Sequence, residues 1–385
     1  MTTLEKKRVG IVGGGVIGCS IAYHLSSLEV EATVFEKDQI GSGTTAKSAG
    51  TLCLLDDSLP ERYFDQRVLC LRTYGQMDRE PAGAVGFRRS GTLVVCTSKE
   101  GLERVRKHVE MSRSAGFSAE YIDGPEGLRQ YLPDLDTKKA LGGAYTADDG
   151  YADSTAIAVE YASKARQNGV RILTGTKVTR ILKSGGHVSG VETTRGVFNF
   201  DLVVNAGGPW SNQVGQMAGL QLPLWHTKAE VFILKPRSPL GYSFPILKYP
   251  AWYARAEGDN VFVCRSHMAM DLNNPMHAGV WDPDALPPKG GTEKYFLEFL
   301  FEQLSESLPV LTEASVVNDW VGYRSVTKDK LPILGESGFP GFLLANGPSG
   351  NGVILAPGIG QELSRYIATG EKGHLLQTCG LSRFL

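Results

Sequence analysis

The chain has 385 residues, 42% hydrophobic and 21% charged, ordinary globular proportions that exclude wholesale disorder. Against 40 Lys and Arg stand 41 Asp and Glu, a net charge of −1, so there is no basic field for nucleic acid or an anionic membrane. Glycine is the outlier: 46 residues, about 12% against a usual ~7%, which without a Gly-X-Y repeat signals tight turns and close approaches of backbone to a ligand. The cysteines Cys19, Cys53, Cys70, Cys96, Cys264 and Cys379 form no CxxC pair and read as thiols in a reducing compartment. No apolar run reaches the ~18 residues of a membrane span, and the run starting at Val9 is cut at once by glycines, leaving no room for a signal peptide. A cytoplasmic protein is therefore expected.

In chain order, 8–12 reads as a buried strand, 15–28 as a helix with Val16, Ile17, Ile21, Ala22 and Leu25 at helical spacing, and 31–36 as a second strand. A helix is expected over 60–80, a strand over 88–97, and a charged amphipathic helix over 99–115. Ile157, Ala158, Tyr161, Ala162 and Ala165 line one face of a helix at 154–168, which Asn168-Gly169 ends. Strands are expected at 170–174, 177–183, 187–194 and 197–204. Residues 228–264 are strand-like, with turns at Pro236–Gly241 and Gly258-Asp259. A loop at 282–291, a helix at 292–305, a strand at 314–323, a turn-rich segment and a last helix at about 352–369 complete the chain.

Gly13-Gly14-Gly15-Val16-Ile17-Gly18 is a G-x-G-x-x-G between a strand and a helix. Gly13 permits the turn, Gly15 lets the backbone approach a pyrophosphate, and Gly18 lets helix and strand pack. The helix start offers N–H groups to phosphate. Glu36, at the end of the second strand, suits the adenosine ribose. A dinucleotide is implied, FAD or NAD. The run Gly41-Ser42-Gly43-Thr44-Thr45-Ala46-Lys47-Ser48-Ala49-Gly50 supplies small residues and hydroxyls to a cofactor just beyond Lys37.

The whole chain resembles the D-amino-acid oxidase, glycine oxidase and sarcosine oxidase group of FAD-dependent amine oxidoreductases. Beyond the first turn, 142–154 is similar to that group's Gly/Asp turn, and 201–211, with Ala206, Gly207 and Trp210, resembles its second flavin strand. Gly322-Tyr323-Arg324 with Thr327–Gly335 resembles its G-x-R-P…T-x-D-x-x-P-x-I-G segment. Gly347, Gly350, Asn351, Gly352 and Val353 resemble its closing flavin loop and helix. The resemblance selects FAD, with Val178 at the adenine. It implies an α/β plus α+β fold: a Rossmann-like FAD-binding domain (1–85, 140–220, 323–385) interleaved with a mixed-sheet substrate domain (86–139, 221–322).

The resemblance further implies oxidation of the C–N bond of an amino acid or N-alkyl amino acid, by hydride transfer to flavin N5 and hydrolysis of the imine. Arg324 is the carboxylate anchor, a guanidinium being always charged and two-pronged. Tyr253, His226, Glu230 and His267 are candidate substrate contacts, and Lys47 is expected to face the flavin. Several positions depart from the group. Gly322 replaces the flavin-linking cysteine of sarcosine oxidase and Lys47 the linking histidine of dimethylglycine dehydrogenase, so FAD is expected to be non-covalent, with Cys53 near in sequence. Ser325 replaces a proline, and Pro348 and Gly350 replace a histidine and an arginine of glycine oxidase. No metal spacing such as HxH or HExxH occurs. Electrons are expected to pass to O2 or to a protein acceptor, in a homo- or hetero-oligomer. Oxidation of another carboxylate such as a 2-hydroxy acid is the alternative.

Overall fold

The computed structural model describes residues 6–55, 60–80, 83–266, 278–285 and 290–385. Its first sheet follows from the βαβ start. Lys7–Val12 and Val30–Phe35 pair in parallel, each burying its last four residues. The sheet runs Ile333–Glu336, Phe342–Asn346, Leu202–Asn205, Lys7–Val12, Val30–Phe35, Arg171–Leu173. Only the Ile333–Glu336 edge is antiparallel. Strands buried on both faces need cover on both. The helices Val16–Leu25, Ser154–Gln167 and Gly352–Thr369 cover one face, joining Ile21, Leu25, Ile157, Tyr161 and Ile359 in one core. The other face is covered by the short helix Ser211–Met217 and an antiparallel sheet of Val178–Ser184, His187–Thr193 and Gly196–Asn199, around Phe35, Val191 and Val203.

The second sheet has nine strands. Ala278–Gly279, Trp225–Lys235, Asn260–Arg265, Trp252–Glu257, Ile246–Lys248, Thr92–Cys96, Gly142–Thr146 and Glu120–Asp123 run in that order, and Ser315–Val326 pairs along Trp225–Lys235. Alternation sorts its faces. Phe232, Leu234, Ala254 and Val263 join the helix Lys294–Ser307 through Phe296, Leu300 and Leu304 on the outer side. Val231, Ile233, Phe262 and Cys264 pack with Ala49 on the inner side, facing the first sheet's ligand end.

The predicted elements form, with these differences. The stretch expected to be turn-rich before the last helix holds two strands, Ile333–Glu336 and Phe342–Asn346. The expected strand 88–97 breaks at Gly91 (φ 72), where a Cβ would lie 2.4 Å from the Tyr145 hydroxyl. The expected strand 197–204 divides between two sheets, and Asp201 at the corner pairs with Arg8 at 3.0 Å. Gly142–Thr146 pairs in the nine-stranded sheet, although it falls in the stretch expected for the cofactor domain. Ser315–Val326 runs past its expected end, because its ladder with Trp225–Lys235 continues to Val326; Arg324 therefore stands inside a strand of that same sheet. Among the described residues no helix is long and apolar enough to cross a membrane.

Candidate active site

The glycine turn is built by contacts that glycine alone allows. Gly13 has φ 114, and a Cβ there would sit 2.4 Å from the Ala206 carbonyl oxygen; a Cβ on Gly18 would sit 2.0 Å from the Gly13 oxygen. Gly15 differs, since the nearest atom to its Cβ would be Thr45 Oγ1 at 3.4 Å. Protein packing leaves that side of the turn open. Gly15 also caps the helix Val16–Leu25 without a side chain of its own; Thr45 Oγ1 accepts from the Val16 amide at 3.2 Å, and the remaining first-turn N–H groups point out of the turn. Glu36 holds the turn's rim, accepting from the Gly14 and Asp38 amides at 2.8 Å each. Val178 opens the neighbouring antiparallel sheet just after Thr176, whose amide bonds the Glu36 oxygen at 2.8 Å.

The small-residue loop is tied to the roof. Thr44 Oγ1 donates to Tyr323 O at 2.9 Å, Arg255 Nε to Ala49 O at 2.7 Å and Trp320 Nε1 to Lys47 O at 3.3 Å. Gly50 is a packing glycine: at φ 64 its Cβ would lie 2.0 Å from Ala152 O. Gly347 likewise leaves no room, with Leu224 Cδ2 at 2.5 Å. Gly207 is fixed by its amide to Asn205 Oδ1 at 3.1 Å.

Between turn, loop and roof lies a cavity of about 450 Å³. Gly15, Val16, Ile17, Ala206 and the start of the closing helix, Gly350 to Val353, form one wall. Thr44, Thr45, Lys47, Ser48 and Ala49 form another, and Ala229, Val231, Tyr253, Cys264, Gly322 and Arg324 roof it. The closing helix Gly352–Thr369 also starts without a side-chain cap. Two helix N-termini thus bring partial positive charge to one chamber, which fits an anionic dinucleotide.

Arg324 is 9% exposed. Its Nη2 reaches Cys264 Sγ at 3.6 Å, and its buried Nη1 has no hydrogen-bond partner. A Cβ on Gly350 would press its Cδ at 3.3 Å, so the missing side chain there leaves the guanidinium room. Cys264 pairs in register with Tyr253, and burial raises both their pKa values. Lys47 is half-buried, and desolvation lowers its pKa. A Cβ on Gly322 would lie 3.1 Å from Lys47 Cβ, so the two positions that depart from flavin linkage are neighbours. Cys53 does not border the cavity. Its sulfur accepts from Thr92 Oγ1 at 3.4 Å, and burial pushes the thiol up to about 11.

Lys37, Ser42, Gly43 and Trp210 line a second cavity of about 570 Å³, which shares Thr44, Lys47 and Pro209 with the first. There Asp284 takes Lys37 Nζ at 2.8 Å and Trp210 Nε1 at 2.9 Å, with Lys37 4.4 Å from the Trp210 ring centre.

Two expected substrate contacts face the wrong way. Ala229 and Val231 of Trp225–Lys235 point into the cavity, so by alternation His226 and Glu230 point out of the other face. His226 Nε2 bonds Pro209 O at 2.8 Å, Nδ1 accepts from the Trp281 amide at 3.2 Å, and the ring stacks on Tyr323. Burial lowers its pKa. Glu230 accepts from the Glu293 amide at 2.7 Å. His267 lies outside the described residues. Cavity residues that the sequence did not single out are Cys264, Ala229, Val231 and Lys248, and Arg104 and His108 on the helix Lys99–Ser114.

The chain matches the family model described as FAD dependent oxidoreductase (DAO) over residues 8–366. It is 28% identical to human mitochondrial dimethylglycine dehydrogenase over 95% of this chain and 43% of that protein, so it spans less than half that relative's length. It is 25% identical to glycine oxidase of Geobacillus kaustophilus, over 98% of this chain and 97% of the other. The solved structure of L-proline dehydrogenase from P. horikoshii superposes with a TM-score of 0.81 at 24% identity, covering 99% of this chain and 98% of that one.

Proposed function

This chain belongs to the DAO family of FAD-dependent oxidoreductases, and from that premise we propose that it oxidises the C–N bond of an amino acid or N-alkyl amino acid. When bound, FAD supplies the redox step, accepting a hydride at N5 from the carbon next to nitrogen and leaving an imine that hydrolyses. The residues do the rest. The turn Gly13–Gly18, Glu36 and the loop Ser42–Ala49 hold the dinucleotide, with the first sheet as its platform. The nine-stranded sheet roofs the reacting centre. Arg324 takes the substrate carboxylate, Tyr253 lines its pocket, and Lys47 places positive charge at the cofactor's edge. With Cys53 turned away and neither Gly322 nor Lys47 able to make the links known from the relatives, the cofactor is held without a covalent bond. O2 or an acceptor protein reoxidises the enzyme, and peroxide release by the isolated chain separates these.

The observation that carries this reading is the buried, unpaired Nη1 of Arg324 over the cavity. A buried charge lacking a partner is costly, and a carboxylate meets it two-pronged. Losing such a pair costs about 2–5 kcal/mol, so Arg324→Ala should slow second-order flavin reduction by an amino acid roughly 30- to 1000-fold or more. FAD content should hold, and an amine without a carboxylate should lose little. Equal losses for acid and amine, or loss of FAD, would make Arg324 structural.

A further inference from the structure

Arg324 and the side chain that its guanidinium touches stand on different strands of the roof. Arg324 pairs with Thr227 on the strand Trp225–Lys235. Further along that strand Val231, on the same face, pairs with Cys264 on the strand beyond. Directly paired residues share a face, so Arg324 and Cys264 both belong to the cavity side, diagonal to each other across an intervening strand. Only an extended arginine side chain closes that gap, and Ala229, between Thr227 and Val231 on that face, is short enough to leave it room. On its other flank the arginine passes Gly350, where a Cβ would lie 3.3 Å from its Cδ. A side chain stretched in this way has several rotatable bonds, and their freedom must be lost before a ligand can dock on its end.

A sulfur catches the far end. Arg324 Nη2 donates to Cys264 Sγ at 3.6 Å, the one hydrogen-bond partner of the guanidinium among the described residues, while the buried Nη1 has none. Cys264 is itself buried, borders the cavity and pairs in register with Tyr253. The residue type matters for the charge. Burial raises the thiol's pKa, so near neutrality the sulfur is uncharged. It holds one prong of the fork without cancelling the positive charge. A carboxylate in its place would pair with Arg324 outright and compete with the substrate. Among the described residues no Asp or Glu borders the cavity to do so.

We propose that Cys264 is a positioning residue for the oxidation: its sulfur anchors Nη2 of Arg324 and so leaves Nη1 facing the place of the substrate carboxylate. This rests on the amino-acid oxidation proposed above and deepens its account of Arg324. Cys264 touches the arginine and acts on the substrate through it. Without the anchor, the guanidinium is ordered afresh as each substrate binds, a cost that falls on carboxylate substrates alone.

The test is anaerobic flavin reduction of the FAD-loaded enzyme in Cys264→Ala, Cys264→Ser, Arg324→Ala and the double variant Cys264→Ala/Arg324→Ala. The substrates are the amino or N-methyl amino acid that reduces the wild-type flavin fastest and the amine that lacks its carboxylate. Cys264→Ala should slow the acid about 2- to 12-fold in second-order rate, the range of an ordinary hydrogen bond, sulfur being a weak acceptor. The amine should stay near its wild-type rate. Cys264→Ser keeps an acceptor and should lie nearer wild type than Cys264→Ala. In the Arg324→Ala background, Cys264→Ala should have no further effect, because the group it holds is gone. FAD content and the apoprotein's Tm confirm the fold of each variant. An unchanged acid rate in Cys264→Ala, equal slowing of acid and amine, a Cys264→Ser as slow as Cys264→Ala, or losses that add in the double variant would each overturn the proposal while leaving amino-acid oxidation standing. Failure of every amino acid and N-methyl amino acid to reduce the flavin would overturn both readings.

Discussion

A lysine that shares two cavities and meets no carboxylate among the described residues keeps its charge at a cost, and burial lowers the Lys47 pKa accordingly. That cost is offset if the ammonium faces the extra negative charge of a reduced flavin. Lys47→Met should then lower the flavin midpoint potential, read by dye-equilibrated redox titration; an unmoved potential would make Lys47 a solvent-facing side chain. That Arg324 and Lys47 border the cavity was legible because they sit in recognisable segments. Cys264 was not singled out, yet the sequence holds its position. A turn at Gly258-Asp259 pairs Glu257 with Asn260 and, counting back, Tyr253 with Cys264. His226 and Glu230 misled for the opposite reason. Their strand is buried on both faces, so its apolar run carries no alternation from which to tell cavity from outer side.

At the scale of elements, the glycine turn makes two opposite predictions. Gly18→Ala drives a Cβ to 2.0 Å from backbone oxygen. Overpacking of this kind costs about 1–3 kcal/mol or more, so the apoprotein's Tm should fall. Gly15→Ala meets nothing closer than 3.4 Å and should leave the apoprotein's Tm near wild type, yet weaken FAD roughly tenfold or more by displacing phosphate from the N–H groups, which bond charge at about 1.5–3 kcal/mol each. Thermal melts of apoprotein with FAD titrations separate the two; a parallel loss of stability in both variants would contradict the open cradle at Gly15. The elements themselves were readable wherever periodicity and punctuation agreed, as at 154–168 and 352–369. The division of 197–204 was hidden because Asn199-Phe200-Asp201 lacks Gly and Pro, and only the long-range Arg8–Asp201 pairing reveals the corner. Sheet membership of Gly142–Thr146 is a matter of tertiary pairing that local pattern does not encode.

Across the whole molecule, one buried carboxylate makes stability depend on pH, where the chain leaves the nine-stranded sheet after Gly142–Thr146. Asp149 is fully buried, accepting from the Leu54 amide at 2.8 Å, and burial raises its pKa to about 7. The folded state therefore holds this proton more tightly than the unfolded chain does. The resulting stability is present at low pH and is lost as pH rises from about 4 to about 7. Asp149→Asn should flatten that part of a Tm–pH profile, and an unchanged slope would place the titration elsewhere. If FAD is held by turn, loop and helix ends alone, acid precipitation should release the yellow colour to the supernatant; colour kept in the pellet would point to a covalent link. Oxidation of an amino acid at its C–N bond is measured most directly by the absorbance of the oxidised flavin, without oxygen, as amino acids, N-methyl amino acids and 2-hydroxy acids are added in turn. An amino or N-alkyl amino acid should bleach it with stoichiometric formation of the carbonyl product. Bleaching by a 2-hydroxy acid alone, with every amine inert, would contradict the account.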